Sequence, residues 1–208
     1  MLAETGVAAY LIIWLTLFIS INLHNILRLH RRETGPKARG ETQRPFNLAV
    51  SLAALGTFVY FLAVLLFFFL VLVGQESLVI GLSLGYEFPF MIYVQVIGLG
   101  STALGYVIFM WSVIARGKYA VTWEMPENQK LVTWGPYRHV RHPSYLGYFL
   151  MFIGLFCLWP NWFTFFPWIA IPGYYRITFD EEKLLTRRFG KEYVEYREKT
   201  GRLIPGFR

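Results

Sequence analysis

Two short segments concentrate the side chains that could do chemistry. The first runs from Gln129 to Gly147 and contains Gly135-Pro136-Tyr137 and Arg141-His142-Pro143-Ser144-Tyr145. Gly135-Pro136 is a turn signal, and Pro143 suits the first turn of a helix, where its missing N–H costs nothing. His142 and Ser144 then sit at a helix N-terminus, where free backbone N–H groups favour an anionic ligand group. The same residues also suit a polar loop that Arg138 and Arg141 anchor to anionic lipid headgroups. The second segment is Arg176-Ile177-Thr178-Phe179-Asp180-Glu181-Glu182, followed by Phe189-Gly190 and Glu192-Tyr193. Three consecutive acids in a strongly basic region are unusual. Arg176 and Asp180, four apart, share a helix face and can pair, while Glu181 and Glu182 point elsewhere. A solvated helix face with weak local ion pairs is the competing account.

Other candidates carry less. Cys157 lies in an apolar run and suits packing. His24 and His30 have no partner at metal-ligand spacing, so no metal site is expected. Gly98-Leu99-Gly100 with Gly105 lies inside an apolar run with no strand before it, so close helix packing accounts for it better than dinucleotide binding.

These segments are tethered to an unusually apolar chain. Of 208 residues, 55% are hydrophobic, 19% aromatic and only 16% charged, against about 25% charged in ordinary soluble domains. Mean hydropathy is +0.42. A soluble domain, a disordered chain and a nucleic-acid module are disfavoured, and the net charge of +7 needs another explanation. Runs Val7–Leu23, Phe46–Val73, Phe88–Ile114 and Pro143–Tyr175 contain no charge. A spanning helix needs about 20 apolar residues. The last run is long for one span and short for two, with a turn signal at Pro160-Asn161.

Charge decides between them. The 20 Lys and Arg fall into three groups: six in Arg28–Arg44, five in Arg116–Arg141 and nine in Arg176–Arg208. Basic residues collect on the cytoplasmic side. Two spans after Pro143 place all of them there; one span would expel nine. The expectation is an all-α integral membrane protein with five transmembrane helices. The last two form a tight hairpin, the N-terminus is external or lumenal, and the C-terminus and a ligand pocket are cytoplasmic. Residues 1–208 form a single membrane domain, with the chemistry in 117–208. Trp111, Trp159, Trp162, Tyr174 and Tyr175 read as interfacial anchors.

At the two segments the sequence resembles the isoprenylcysteine carboxyl methyltransferases and the related phospholipid methyltransferases. The matching residues are Leu131-Val132-Thr133, Gly135-Pro136-Tyr137, Arg141-His142-Pro143-Ser144-Tyr145 and Gly147, then Glu181-Glu182, Phe189-Gly190, Glu192-Tyr193 and Tyr196. Local matching runs from about Gly117 to Pro205. The resemblance implies an integral membrane enzyme using S-adenosyl-L-methionine without a Rossmann domain. It implies that Gln129, Lys130, Leu131, Val132, Tyr137, His142, Pro143, Ser144 and Tyr145 enclose the cofactor, with Glu181 and Glu182 opposite, and that Arg176 holds the substrate. Arg176 precedes Glu181 by five residues, where the family pattern more often shows four, so Asp180 competes for the acidic role. The implied substrate is a prenylated cysteine carboxylate or similar lipid entering from the bilayer. The implied membrane is the endoplasmic reticulum in a eukaryote or the plasma membrane in a prokaryote. A carboxylate is ionised at pH 7 and needs no general base, only a cation to orient it. A phospholipid amine or small thiol is the alternative acceptor, and a sterol-type membrane reductase with a nicotinamide cofactor the alternative class. The Glu-Glu pair favours the methyltransferase, since a 2′-phosphate would call for more basic residues.

Overall fold

A computed structural model describes residues 2–30, 47–82, 89–119 and 130–206. Gln129 and the basic residues from Arg31 to Arg44 lie outside the described residues. Within them the fold is all helical, with one isolated β-bridge, Val140 to Gly201. The helices are α1 (Glu4–His30), α2 (Leu48–Leu72), α3 (Glu76–Leu82), α4 (Met91–Arg116), α5 (Pro143–Leu158), α6 (Trp162–Phe165), α7 (Ala170–Phe189) and α8 (Lys191–Lys199). Short 3₁₀ turns cover Gly117–Tyr119, Gly135–Arg138 and Phe166–Ile169.

Three helices are long and apolar enough to cross a membrane: Glu4–Leu27 of α1, and the whole of α2 and α4. All three leave large apolar side chains facing outward, including Ile13, Phe58, Phe69, Ile97 and Ile114. In water such faces would be a liability; in lipid they are the expected surface. The chain is an integral membrane protein. The fourth uncharged run divides at Trp159–Asn161 into α5 and the helical run α6–α7. Asn161 caps α6 by accepting from the Thr164 N–H at 2.9 Å. Trp159 corrects its reading as an interfacial anchor: it is buried, and its indole N–H donates to the Val79 carbonyl at 2.8 Å. Tyr174 is likewise turned inward, its hydroxyl 2.8 Å from that of Thr57.

The element that places the site is the antiparallel pair α4–α5. Gly98, Gly105 and Ser112 recur at seven-residue spacing along α4, and they face Gly154, Gly147 and Ser144 of α5. Small residues at these crossings let the backbones approach. A Cβ on Gly105 would stand 2.7 Å from the Gly147 carbonyl oxygen, and one on Gly147 2.8 Å from that of Gly105. Gly100, by contrast, faces open space. At the end of this seam the hydroxyls of Ser112 and Ser144 meet at 2.8 Å. The seam thus fixes the start of α5 beside the end of α4. Gly56 and Gly173 do the same for α2 against α7. Gly147→Ala would place its methyl against backbone that cannot swing aside. It is expected to cost about 1–3 kcal/mol, seen as a lower melting temperature in detergent, while the exposed-face change Gly100→Ala should cost nothing measurable.

Candidate active site

Beyond α4 the chain turns through Gly135–Arg138, where Gly135 has φ of 62°, a conformation that favours glycine. Trp134 ties this turn to α4 by donating to the Ala115 carbonyl at 3.0 Å. Residues 140–142 then run alongside the C-terminal segment. The Arg141 N–H donates to the Gly201 carbonyl at 2.9 Å, and the His142 N–H to that of Arg202 at 3.1 Å. Pro143 is the first residue of α5, as the sequence implies, and His142 is the N-cap. The helix N-terminus is more committed than expected. His142, Tyr145 and Leu146 N–H groups already donate to carbonyls and Pro143 has none, which leaves the Ser144 amide.

Against this start of α5 lies one face of α7. Tyr145 donates its hydroxyl to Glu181 Oε1 at 2.6 Å. His142 stands between both glutamates, Nδ1 3.2 Å from Glu181 and Nε2 3.3 Å from Glu182. Its ring stacks parallel to that of Tyr145, centroids 5.6 Å apart. Glu182, 5% exposed, also accepts from Arg141 Nε at 2.9 Å and from Arg202 at 3.0 and 3.1 Å. Arg141 donates from Nη1 to the carbonyls of Arg197 and Thr200, and Arg202 lies over the Phe179 ring at 3.9 Å. Arg141 is therefore a buried structural cation, which corrects its reading as a lipid-headgroup anchor. It tolerates this burial because Glu182 pairs with its Nε and two carbonyls accept from its Nη1.

The electrostatics follow from these contacts. Burial pushes Glu182 toward its neutral form, but hydrogen bonds from His142, Arg202 and Arg141 outweigh it and hold the carboxyl down at about 2. Burial likewise opposes charge on His142, and the two glutamates overcome it, raising the imidazole above its ordinary 6.5. A raised histidine stabilises below its unfolded value and loses that contribution as pH rises through its folded value. A depressed carboxyl stabilises above its unfolded value, here 4.5, and loses it as pH falls toward 2. The stability advantage of the protein over His142→Gln is expected to be greatest near about pH 5.5 and to shrink as pH rises. Melting curves in detergent across pH 5–9 check this; an advantage that grows with pH would contradict it.

In front of this cluster opens a pocket of about 660 Å³, part of it open to solvent. Lys130, Leu131, Val132, Tyr137, His142, Ser144, Tyr145 and Glu181 line it. Pro143 and Glu182 do not; Glu182 stands behind His142 as the anchor of the cluster. Asp180 pairs instead with Lys183 at 3.7 Å on the helix exterior, so the expected Arg176–Asp180 pair does not form and Glu181 is the acid that faces the pocket. Arg176 is exposed, outside the lining, and about 140° around α7 from Glu181. Arg141 lines it too, and the wall is completed by Arg116, Tyr119 and Leu185, which sequence reasoning missed, and by Tyr193 and Tyr196, which it matched to the family without assigning them to the pocket. Tyr196 is held by its hydroxyl donating to the Tyr137 carbonyl at 2.7 Å. Among the described residues no cluster of His, Cys, Asp or Glu could hold a metal ion.

A profile of the family described as Phospholipid methyltransferase matches residues 93–192, which include every helix that contributes to this wall except α8 beyond Glu192. Across those residues the chain is similar to the phospholipid methyltransferase family. Its relatives within the match include a probable protein-S-isoprenylcysteine O-methyltransferase of Oryza sativa subsp. indica, 31% identical over 121 residues, covering 54% of this chain and 62% of the relative. The protein-S-isoprenylcysteine O-methyltransferase of Schizosaccharomyces pombe is 33% identical over 127 residues, 57% of this chain and 52% of the relative. That of Saccharomyces cerevisiae is 41% identical over 80 residues, 36% and 32% of the two chains. The chain thus spans about half the length of the curated relatives it matches. The phospholipid methyltransferase match takes in both motif segments, and the pocket lies where they meet.

The wall fits the cofactor that such a family implies. It holds one acid, Glu181, five tyrosines and three aliphatic side chains. Two donors in it are buried without a partner, the Tyr193 hydroxyl and Arg116 Nε. An acid for an ammonium, aromatic faces for a sulfonium and unspent donors suit a zwitterionic nucleoside.

Proposed function

We propose that the chain is an S-adenosyl-L-methionine-dependent membrane methyltransferase that acts on the carboxylate of a prenylated cysteine or a similar lipid-like acid. The observation that carries this reading is the meeting of His142 and Tyr145 with Glu181 in one pocket wall, within residues that match a methyltransferase family. When bound, the cofactor supplies a methyl group already activated by its sulfonium. Glu181 would accept from the ligand's ammonium, and Tyr137 and Tyr145 would supply aromatic surface to its cationic part. Leu131, Val132 and Leu185 keep water from the reacting atoms. His142, with both ring nitrogens against carboxylates, fixes Glu181 and is not free to act as a base.

That last point favours a carboxylate acceptor. An acceptor amine would have to lose a proton before attack. His139, the other candidate base, is exposed and outside the pocket lining. Burial pushes the Tyr137 phenol up, away from a basic role. The family description favours a phospholipid amine as the second reading.

In this proposal α5 and α6–α7 form the fourth and fifth spans as a hairpin, the N-terminus is external or lumenal, and the pocket faces the cytoplasm with all the basic residues. The membrane is the endoplasmic reticulum in a eukaryote or the plasma membrane in a prokaryote. The acceptor enters sideways from the bilayer past Arg176, the first charge after the fifth span, which meets its headgroup; the cofactor enters from the cytoplasm.

Purified protein supplied with methyl-labelled S-adenosylmethionine tests the proposal against a panel of prenylcysteine, phosphatidylethanolamine and an alkyl thiol. Label is expected on the prenylcysteine as a base-labile ester. Label on the amine or thiol alone would move the assignment to that acceptor, and label on none would remove the methyltransferase reading.

A further inference from the structure

Among the described residues, one cation of the pocket keeps a buried donor with no partner. Arg116 is the last residue of α4 and lines the pocket, and its Nε is buried with no hydrogen-bond partner. The other cations nearby are accounted for. Arg141 and Arg202 are spent on Glu182, and His142 on both glutamates. Lys130 is exposed and free to keep its water. No ion pair to Arg116 forms among the described residues.

Its placement follows from the α4–α5 seam. Ser112, which meets Ser144, lies four residues before Arg116, so both share the helix face turned toward the start of α5. The charge of Arg116 accordingly acts on the phenols of Tyr137, Tyr145 and Tyr148. The negative end of the α4 dipole favours a cation there. The dipole does not account for a donor left buried and unused, because a buried N–H without a partner is costly. An arginine fork matches a carboxylate with two parallel bonds.

We infer that Arg116 is the anion seat of this pocket and takes a ligand carboxylate. The inference rests on the methyltransferase reading, in which two carboxylates reach the pocket: that of the cofactor's amino-acid tail and that of the acceptor. The committed amides at the start of α5 strengthen the case, since they leave one N–H there for an anion.

Arg116→Met and Arg116→Lys in the full chain test it, with melting temperature as the control for folding. Calorimetry measures S-adenosylhomocysteine and 5′-methylthioadenosine, which lacks the amino-acid tail; kinetics separate acceptor KM from kcat. If the seat takes the cofactor, Arg116→Met weakens S-adenosylhomocysteine roughly tenfold and spares methylthioadenosine. If it takes the acceptor, both nucleosides bind as before and acceptor KM rises roughly tenfold. In either case Arg116→Lys recovers part of the loss, keeping charge without the fork. A folded Arg116→Met with all three constants unchanged, or with both nucleosides weakened equally, overturns the inference and leaves the methyltransferase reading standing. Wild-type protein that binds neither nucleoside removes that reading and the inference with it.

Discussion

Glu182→Ala is expected to lower the stability of the folded protein by about 3–5 kcal/mol, the range for removing one partner of a buried ion pair. Glu182 is the common acceptor of Arg141, His142 and Arg202. Its loss leaves the buried Arg141 charge with only the Arg197 and Thr200 carbonyls, and frees Arg202 from its one acid. The same contacts join α7 to the loop before α5 and to the C-terminal segment, so three pieces of chain loosen together. For a chain of this length the change corresponds to a fall of roughly 6–20 °C in melting temperature. Glu182→Gln, which keeps an acceptor oxygen, should lose less. A fall under about 1 kcal/mol for Glu182→Ala would mean that these pairs behave as solvated surface contacts.

Glu181→Ala is expected to separate function from stability. Glu181 reaches the pocket surface, and removing it leaves His142 bonded to Glu182. The fold should therefore persist. A hydrogen bond between charged partners contributes about 1.5–3 kcal/mol, so cofactor affinity should fall roughly tenfold to a hundredfold. Asp180→Ala, one residue earlier, removes only an external pair with Lys183 and should change affinity by less than about twofold. The reverse order, with Asp180→Ala the damaging change, would assign the acidic role to Asp180.

The two motif segments were legible in the sequence because their residue types are local: a proline at the first turn of α5, and acids where cations prevail. Sequence could not separate Glu181 from Glu182. Adjacent helical residues differ by about 100°, and only the packed helix shows that one faces the pocket while the other anchors the cluster. Arg141 and Arg138 looked alike for the same reason; the tail folding back over residues 140–142 buries one and leaves the other exposed. Arg202, Tyr193 and Tyr196 reach the site through that long-range pairing, and no local pattern announces it. Arg116 did leave a signal. Gly98, Gly105 and Ser112 mark the packed stripe of α4, and Arg116 continues it by one turn. The grouping of basic residues along the chain reports their side of the membrane, not their face of a helix.

The apolar runs gave three helices of spanning length, and the fourth run divides at Trp159–Asn161, where the sequence carries its Pro160-Asn161 turn signal. Trp159 shows where an anchor reading fails. An indole N–H that finds a buried carbonyl, here Val79, can leave the interface for the core.

The most direct test of the account is calorimetric titration of the full chain in detergent with S-adenosylhomocysteine, alongside Glu181→Ala. The account predicts one ligand per chain, bound by the protein and weakened at least roughly tenfold in a Glu181→Ala variant whose melting temperature is preserved. A folded protein that binds no nucleoside, or a Glu181→Ala variant that binds as tightly as the protein itself, would contradict it.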